Sequence, residues 1–100
     1  MTVSRPVAAR LRRKFDTAFL PVELVIEDES GLHAGHSGVR EGGESHFRVR
    51  IVSAAFRGLS RVERQRRVYA AASDEFAAGL HALALTTLTP EEAAASTGSA

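Results

Sequence analysis

Two hydrophobic periods alternate along the chain and predict the order of its elements. Between residues 4 and 20 the apolar positions recur at helical spacing, after a Ser4 cap and with Pro6 in the first turn. This segment is therefore predicted to be an amphipathic helix. The period changes to two over residues 22–28 and again over residues 45–53. Such alternation of apolar and polar side chains predicts two strands, each with one face in water.

The second half of the chain repeats both periods. Ser60 and Glu63 have the spacing of a capping box, so a helical segment is predicted to begin there, as one long helix or two short ones, and to end at Gly79. Alternation returns over residues 81–88 and predicts a third strand. A second capping box with a proline in the first helical position opens a final helix at residue 89.

The predicted fold is a single α+β domain in which helices cover one face of a three-stranded sheet. The domain is predicted to span residues 1–95, followed by a disordered tail over residues 96–100. In the long helical segment, Arg64 and Arg67 are predicted to lie opposite an apolar stripe. That stripe consists of Val62, Tyr69, Ala72, Phe76 and Leu80.

Composition narrows the classes of function. Apolar residues make up 44% and charged residues 25% of the 100 residues, which is ordinary for a folded soluble domain. No apolar run approaches the ~18 residues of a membrane span and no signal peptide is visible, so a cytoplasmic protein without a membrane partner is expected. The chain has no cysteine, so any metal must be held by His, Asp or Glu. It shows neither a nucleophile triad nor a phosphate loop, and we expect no enzymatic activity.

The net charge of +1 conceals blocks of opposite sign. Residues 1–20 carry +4, residues 21–46 carry −5, residues 47–67 carry +6 and residues 68–100 carry −4. If the first two strands pair antiparallel, their solvent-exposed faces lie on the same side of the sheet. Glu23 and Glu27 are therefore expected to form cross-strand ion pairs with Arg48 and Arg50.

Two histidines lie in a glycine-rich connection that is too long for a hairpin turn. Residues 29–43 hold five glycines together with His33 and His36. Hairpin loops run about 2–5 residues, and longer loops in a compact domain are commonly functional or disordered. His33 and His36 also have the spacing of a two-nitrogen clamp for zinc or copper. From the residues alone, each of these histidines, and His81 at the start of the third strand, is either a metal ligand or a solvated or hydrogen-bonded side chain.

Four motifs, in order and covering roughly residues 10–92, resemble the BolA family. They are Asp28-Glu-Ser-x-x-His33-Ala, Gly43-Glu-Ser-His-Phe47, Phe56-x-Gly-x-Ser60 with Arg64-Gln-Arg66-x-Val-Tyr69, and Leu80-His-Ala-Leu-Ala-Leu85 with Thr89-Pro90. The combination of the Glu-Ser-His-Phe strand with the His-Ala-Leu-Ala-Leu strand is specific to that family. The resemblance implies a fold similar to the type II KH domain, with the element order αββααβα.

The resemblance implies a protein partner rather than a substrate. BolA-like proteins pair with monothiol glutaredoxins and share a [2Fe–2S] cluster, to which the glutaredoxin and glutathione supply thiolates. On this chain the implied ligands are His81 and His33, with His36 as a substitute ligand or a group beside the ligands. His46 is expected to pack or form hydrogen bonds. The implied role is iron–sulfur cluster trafficking or iron and redox regulation, and no cluster is expected on the isolated protein.

Transcription regulation through DNA binding is the alternative function. Some BolA-like proteins are described that way, and the second helical segment carries a basic cluster. That cluster consists of Arg61, Arg64, Arg66 and Arg67. Glu63 interrupts it and the overall charge is nearly neutral, which is unlike most phosphate-binding domains. A Gly-x-x-Gly sequence at residues 35–38 matches the clamp of KH domains but falls between two strands rather than two helices. The sequence leaves open whether the free protein forms a homodimer.

Overall fold

The order of elements in the structure, a computed structural model that describes residues 6–29 and 45–98, is αββααβα, as predicted. The helices are α1 (Pro6–Phe19), α2 (Arg61–Ala71), α3 (Ser73–Ala77) and α4 (Pro90–Gly98), and the strands are β1 (Glu23–Asp28), β2 (His46–Val52) and β3 (Ala82–Leu88). The long helical segment is thus two helices, which meet at Ala72. Helix α4 reaches Gly98, three residues into the segment 96–100 for which the sequence predicted a disordered tail.

The sheet has the order β1-β2-β3, with β2 in the middle. Strand β1 pairs with β2 antiparallel, and β3 pairs with β2 parallel. A parallel pair needs a long crossover connection, which α2 and α3 supply here. Since parallel strands start at the same edge of a sheet, the beginnings of β2 and β3 lie side by side.

The core lies between one face of the sheet and the helices. Helix α1 contributes a buried row at helical spacing and β2 contributes its alternate residues, as the two periods predicted. The fully buried large side chains include Leu11, Phe15, Phe47, Val49, Ile51, Phe56 and Val68. Exposed residues of β1, β2 and β3 line the other face of the sheet, so the prediction that helices cover one face is confirmed.

The inner face of α2 differs from the predicted stripe. Arg64, Val68 and Ala72 are buried, whereas Val62 is 59% exposed and Tyr69 is 39% exposed. Buried positions four residues apart lie on one side of a helix, and Arg64 belongs to that row. The prediction that Arg64 lies opposite the buried face is therefore wrong. The prediction followed the apolar residue types, while the packed row is set by where α2 meets the sheet.

Helix α2 also covers the outer edge of β3. The Tyr69 hydroxyl donates to the Leu83 carbonyl at 3.1 Å, and the Arg64 guanidinium donates to the Thr87 carbonyl at 3.1 Å. The Leu88 carbonyl accepts a bond from Ser53 on the β2 side. Carbonyls of neighbouring residues in a strand point to opposite sides, so those of Leu83 and Thr87 face the outer edge. Unpaired strand edges invite pairing with other chains, so α2 protects β3 at two points.

Candidate functional site

Two imidazoles meet at the edge of the sheet where β2 and β3 begin. His46 is the first residue of β2, and His81 directly precedes β3. Their ring centroids are 5.6 Å apart, with an interplanar angle of 84°. The backbone N–H groups of His81 and Ala82 both donate to the Ser45 carbonyl, at 2.9 and 3.1 Å. The parallel pairing therefore fixes the two histidine backbones relative to each other.

The His46 ring is held by its neighbour in the chain. Ser45 is fully buried, and its Oγ lies 2.9 Å from Nδ1 of His46. The hydroxyl engages Nδ1 in either tautomer of the ring, which fixes the orientation of the imidazole. The expectation that His46 packs and forms hydrogen bonds is consistent with these contacts. Its proximity to His81 was missed, because the sequence did not reveal which strand β3 would pair with.

His81 is exposed, although alternation along β3 assigned it to the same face as the buried Leu83. The strand begins one residue later, at Ala82, so His81 lies outside the strand and its side chain need not follow the alternation. The structure therefore presents an accessible imidazole on a backbone anchored by hydrogen bonds. An accessible imidazole of this kind is able to bind a metal ion.

The other two predicted ligands, His33 and His36, lie outside the described residues, as does the Gly-x-x-Gly sequence at residues 35–38. Over residues 6–29 and 45–98, no three His, Asp or Glu side chains are grouped closely enough to hold a metal ion. His46 and His81 therefore do not belong to such a group.

The four arginines of the predicted basic cluster on α2 do not share one surface. Arg61, Arg66 and Arg67 are exposed, but Arg64 is only 6% exposed. Its guanidinium donates to the carboxylate of Glu92 through two nitrogens, at 2.7 and 3.1 Å, and to the Leu59 carbonyl at 3.0 Å. With the bond to Thr87 described above, Arg64 joins α2, β3 and α4. Its assignment to a nucleic-acid surface is therefore corrected, because its donors face the protein.

The Arg64–Glu92 pair is held strongly in its ionised form. The hydrogen bonds from Arg64, followed by the bond from the backbone N–H of Thr89, lower the pKa of Glu92 to about 2. The same carboxylate raises the pKa of Arg64. Hydrogen bonds to a charged form stabilise that form. The pair therefore stays ionised across the physiological range and acts as a structural tie between α2 and α4.

The exposed sheet face carries the predicted cross-strand ion pairs in altered form. Arg50 contacts Glu23 at 3.2 Å, as predicted, but Arg48 contacts Glu29 at 2.8 Å rather than Glu27 directly opposite. These contacts neutralise the two arginines of β2. Among the described residues, no helix is long and apolar enough to cross a membrane.

Comparison with known proteins gives a consistent family. A family model described as BolA-like protein matches residues 15–92. The chain is 48% identical over 87 residues to Protein BOLA1, chloroplastic, of Arabidopsis thaliana, which covers 85% of this chain and 54% of that protein. It is 44% identical over 82 residues to the DNA-binding transcriptional regulator BolA of Haemophilus influenzae, which covers 82% of this chain and 76% of that protein.

A solved structure extends the similarity to three dimensions. The BolA domain of SufE1 from Arabidopsis thaliana superposes with a TM-score of 0.80 at 44% identity, over 90% of this chain and 99% of that one. The chain spans about half the length of BOLA1 and 24% of the length of SufE-like protein 1. The names of these relatives refer to chloroplasts and mitochondria, so a cytoplasmic location for this chain remains a prediction.

Proposed function

The chain belongs to the BolA family, and on that premise we propose that it binds a monothiol glutaredoxin and shares a [2Fe–2S] cluster with it through His81. The role is a binding role in iron–sulfur cluster trafficking or iron and redox regulation, without catalysis by this chain. The observation that carries the proposal is the exposed imidazole of His81 on an anchored strand start.

The donor set of the chain is compatible with a shared cluster. Iron in such clusters is held by thiolates or by imidazole, and this chain has no cysteine. The thiolates must therefore come from the glutaredoxin and its glutathione. We assign the second imidazole to His33, with His36 as its substitute. The isolated protein should then hold no stable cluster, because it lacks the thiolates that complete the coordination.

The first experiment mixes the tag-free protein with a monothiol glutaredoxin, glutathione, iron and sulfide, and records visible absorption, circular dichroism and bound iron and sulfide. We expect a cluster-bridged heterodimer for the wild type and loss of the histidine-ligated spectrum in His81→Ala. Because His81 is exposed, this variant should keep its fold, which far-ultraviolet circular dichroism checks. An unchanged cluster spectrum in His81→Ala, or a stoichiometric cluster on the protein alone, would refute the proposal.

The second ligand is tested in the same assay with loop variants. His33→Ala should weaken cluster retention less than His81→Ala does, because His36, three residues further along the chain, can substitute for it. Loss of the spectrum in His36→Ala together with a normal spectrum in His33→Ala would move the loop ligand to His36. Retention of the cluster in the double variant, His33→Ala with His36→Ala, would exclude both histidines as the second ligand.

DNA binding is the second candidate, favoured by the name of the Haemophilus influenzae relative, a DNA-binding transcriptional regulator. On this chain the exposed cations of α2 are Arg61, Arg66 and Arg67, of which Arg66 lies 3.8 Å from the carboxylate of Glu63. If α2 contacts phosphates, Arg61→Ala with Arg67→Ala should weaken binding of a duplex and reduce the slope of its salt dependence by about one unit per lost contact. Binding of a defined duplex at nanomolar levels in physiological salt, indifferent to His81→Ala, would make this the primary function.

A further inference from the structure

Strand β1 forms one edge of the three-stranded sheet, and its outer side carries acidic side chains beside open backbone groups. We propose that this edge is a docking site for a cationic polypeptide segment in extended conformation, which adds to the sheet as a fourth strand beside β1. This inference does not rest on the partnership with a glutaredoxin, because His81 precedes β3, which lies on the other side of β2.

The backbone groups that point outward follow from the pairing of β1 with β2. The N–H of Glu29 donates to the carbonyl of His46 at 2.8 Å, and this pair continues the register of the two strands. Hydrogen-bonded pairs recur at every second residue of an antiparallel ladder, so the odd-numbered residues of β1 bond to β2. The N–H and C=O groups of Leu24 and Ile26 therefore point away from β2, toward the outer edge.

This edge is covered less than the edge of β3, where two side chains of α2 hydrogen-bond to strand carbonyls. Arg12 of α1 donates to the carbonyl of Leu24 at 3.3 Å, in an exposed contact. Across residues 6–29 and 45–98, no other group bonds to Leu24 or Ile26 on this side. The contact of Arg12 is long and open to solvent, so an incoming strand can displace it and pair with the outward groups.

The side chains beside this edge favour a cationic partner. Over residues 23–29, four of the seven side chains are acidic and none is basic. Two of these acids contact the arginines of β2, whereas the exposed Glu27 forms no ion pair with a cation of the described residues. Side chains of an added antiparallel strand would lie opposite Glu23, Val25 and Glu27 in non-hydrogen-bonded pairs, where side chains are closest. Basic residues opposite the two glutamates would therefore stabilise the added strand.

The same charges act against pairing with a second copy of this chain. If two β1 strands paired antiparallel in the register centred on Val25, Glu23 of each copy would lie directly opposite Glu27 of the other. Like charges directly opposite each other destabilise a pair of strands, and charged side chains on an edge strand oppose association between identical edges. The acidic edge therefore discriminates between a second copy and a cationic strand.

The experiment is an NMR titration of the ¹⁵N-labelled protein with the acetylated and amidated peptide Gly-Arg-Val-Thr-Val-Arg-Gly. In the antiparallel arrangement its valines pair with Leu24 and Ile26, and its arginines lie opposite Glu23 and Glu27. We expect the amide resonances of Leu24 and Ile26 to shift and nuclear Overhauser effects to connect the peptide with β1. A control peptide with N-methyl groups on both valines keeps the charge but loses the two donors that face β1, and it should bind at least about tenfold more weakly.

Two protein variants separate the edge from general charge attraction. Glu27→Lys should lower the affinity for the arginine peptide by at least about fivefold, because an opposite charge in a cross-strand pair is replaced by a like charge. The matched control is Asp74→Lys on α3, which changes the charge equally at a side chain that is 89% exposed and should leave the affinity within about twofold.

Three results would overturn the proposal. Equal affinity for the N-methylated peptide would show that the backbone of β1 is not used. Equal losses in Glu27→Lys and Asp74→Lys would reduce the binding to general charge attraction. A homodimer whose β1 amide resonances shift with protein concentration would assign the edge to a second copy of this chain.

Discussion

Replacing Arg64 should reveal that this residue is a structural tie and not a cation on a binding surface. The change to test is Arg64→Met, which retains most of the length and apolar stem of the side chain. Arg64 is 6% exposed and donates to the carbonyls of Leu59 and Thr87 as well as to Glu92. The variant removes all of these donors at once.

The expected loss of stability follows from the acceptors that Arg64→Met leaves without a donor. A buried acceptor without a donor costs about 1–3 kcal/mol. The Thr87 carbonyl is buried in this contact, and the Leu59 carbonyl is partly buried. Glu92 is 41% exposed at its side chain and can turn to water, so its unpaired charge adds little. We expect Arg64→Met to lower the free energy of unfolding by about 2–4 kcal/mol, and Arg64→Lys, which keeps the charge but loses the planar fork, by a smaller amount.

Urea and thermal unfolding followed by circular dichroism measure this effect. For a domain of this size, each kcal/mol corresponds to about 4–8 °C in Tm, so Arg64→Met should lower Tm by at least about 8 °C. The matched control is Arg67→Met on the same helix, where the side chain is exposed and the change should stay within about 0.5 kcal/mol. Equal stabilities of the two variants would refute the structural role of Arg64.

Three further predictions concern stability. The folded pKa of Glu92, about 2, lies below its unfolded value. The stabilisation by its carboxylate is therefore complete above about pH 4.5 and is lost as the pH falls toward 2. Urea midpoints measured near neutral pH and at about pH 3 should show this loss of stability, and the loss should be smaller in Arg64→Met. Ser60→Ala should cost about 1 kcal/mol in the same assay, because Ser60 accepts the N–H of Glu63 at 3.1 Å as the cap of α2; no measurable change would contradict the capping role. Phe15→Ala should cost about 3–5 kcal/mol, since the ring is fully buried, and a loss below 1 kcal/mol would contradict its place in the core.

The local elements were predictable because they depend on residues near one another in the chain. The apolar row of α1 and the alternation in β2 are periodic, and Ser60 caps α2 as its spacing with Glu63 predicted. The motif around His81 singled out this residue as an implied ligand, whereas its exposure came from the structure. These features need only helix and strand geometry, together with the resemblance carried by the motifs.

The residue environments that depend on distant contacts were not predictable. The alternation of apolar and polar residues predicts a strand but does not say that β3 pairs with β2 in parallel. That pairing brings His46 close to His81. Likewise, an arginine between exposed neighbours in α2 has the pattern of a solvated residue. Its burial follows from α4, which places Glu92 within reach of Arg64 from 28 residues away.

The sequence by itself determined the type and order of the elements, the absence of thiolate ligands and the family of the chain. The tertiary structure decided which side chains meet: the pairing of two imidazoles at the starts of parallel strands, and the burial of Arg64 between α2, β3 and α4. The physical reason is the range of the interactions. Periodicity and capping act within a few residues, whereas strand pairing and the satisfaction of a buried guanidinium depend on groups that only folding brings together.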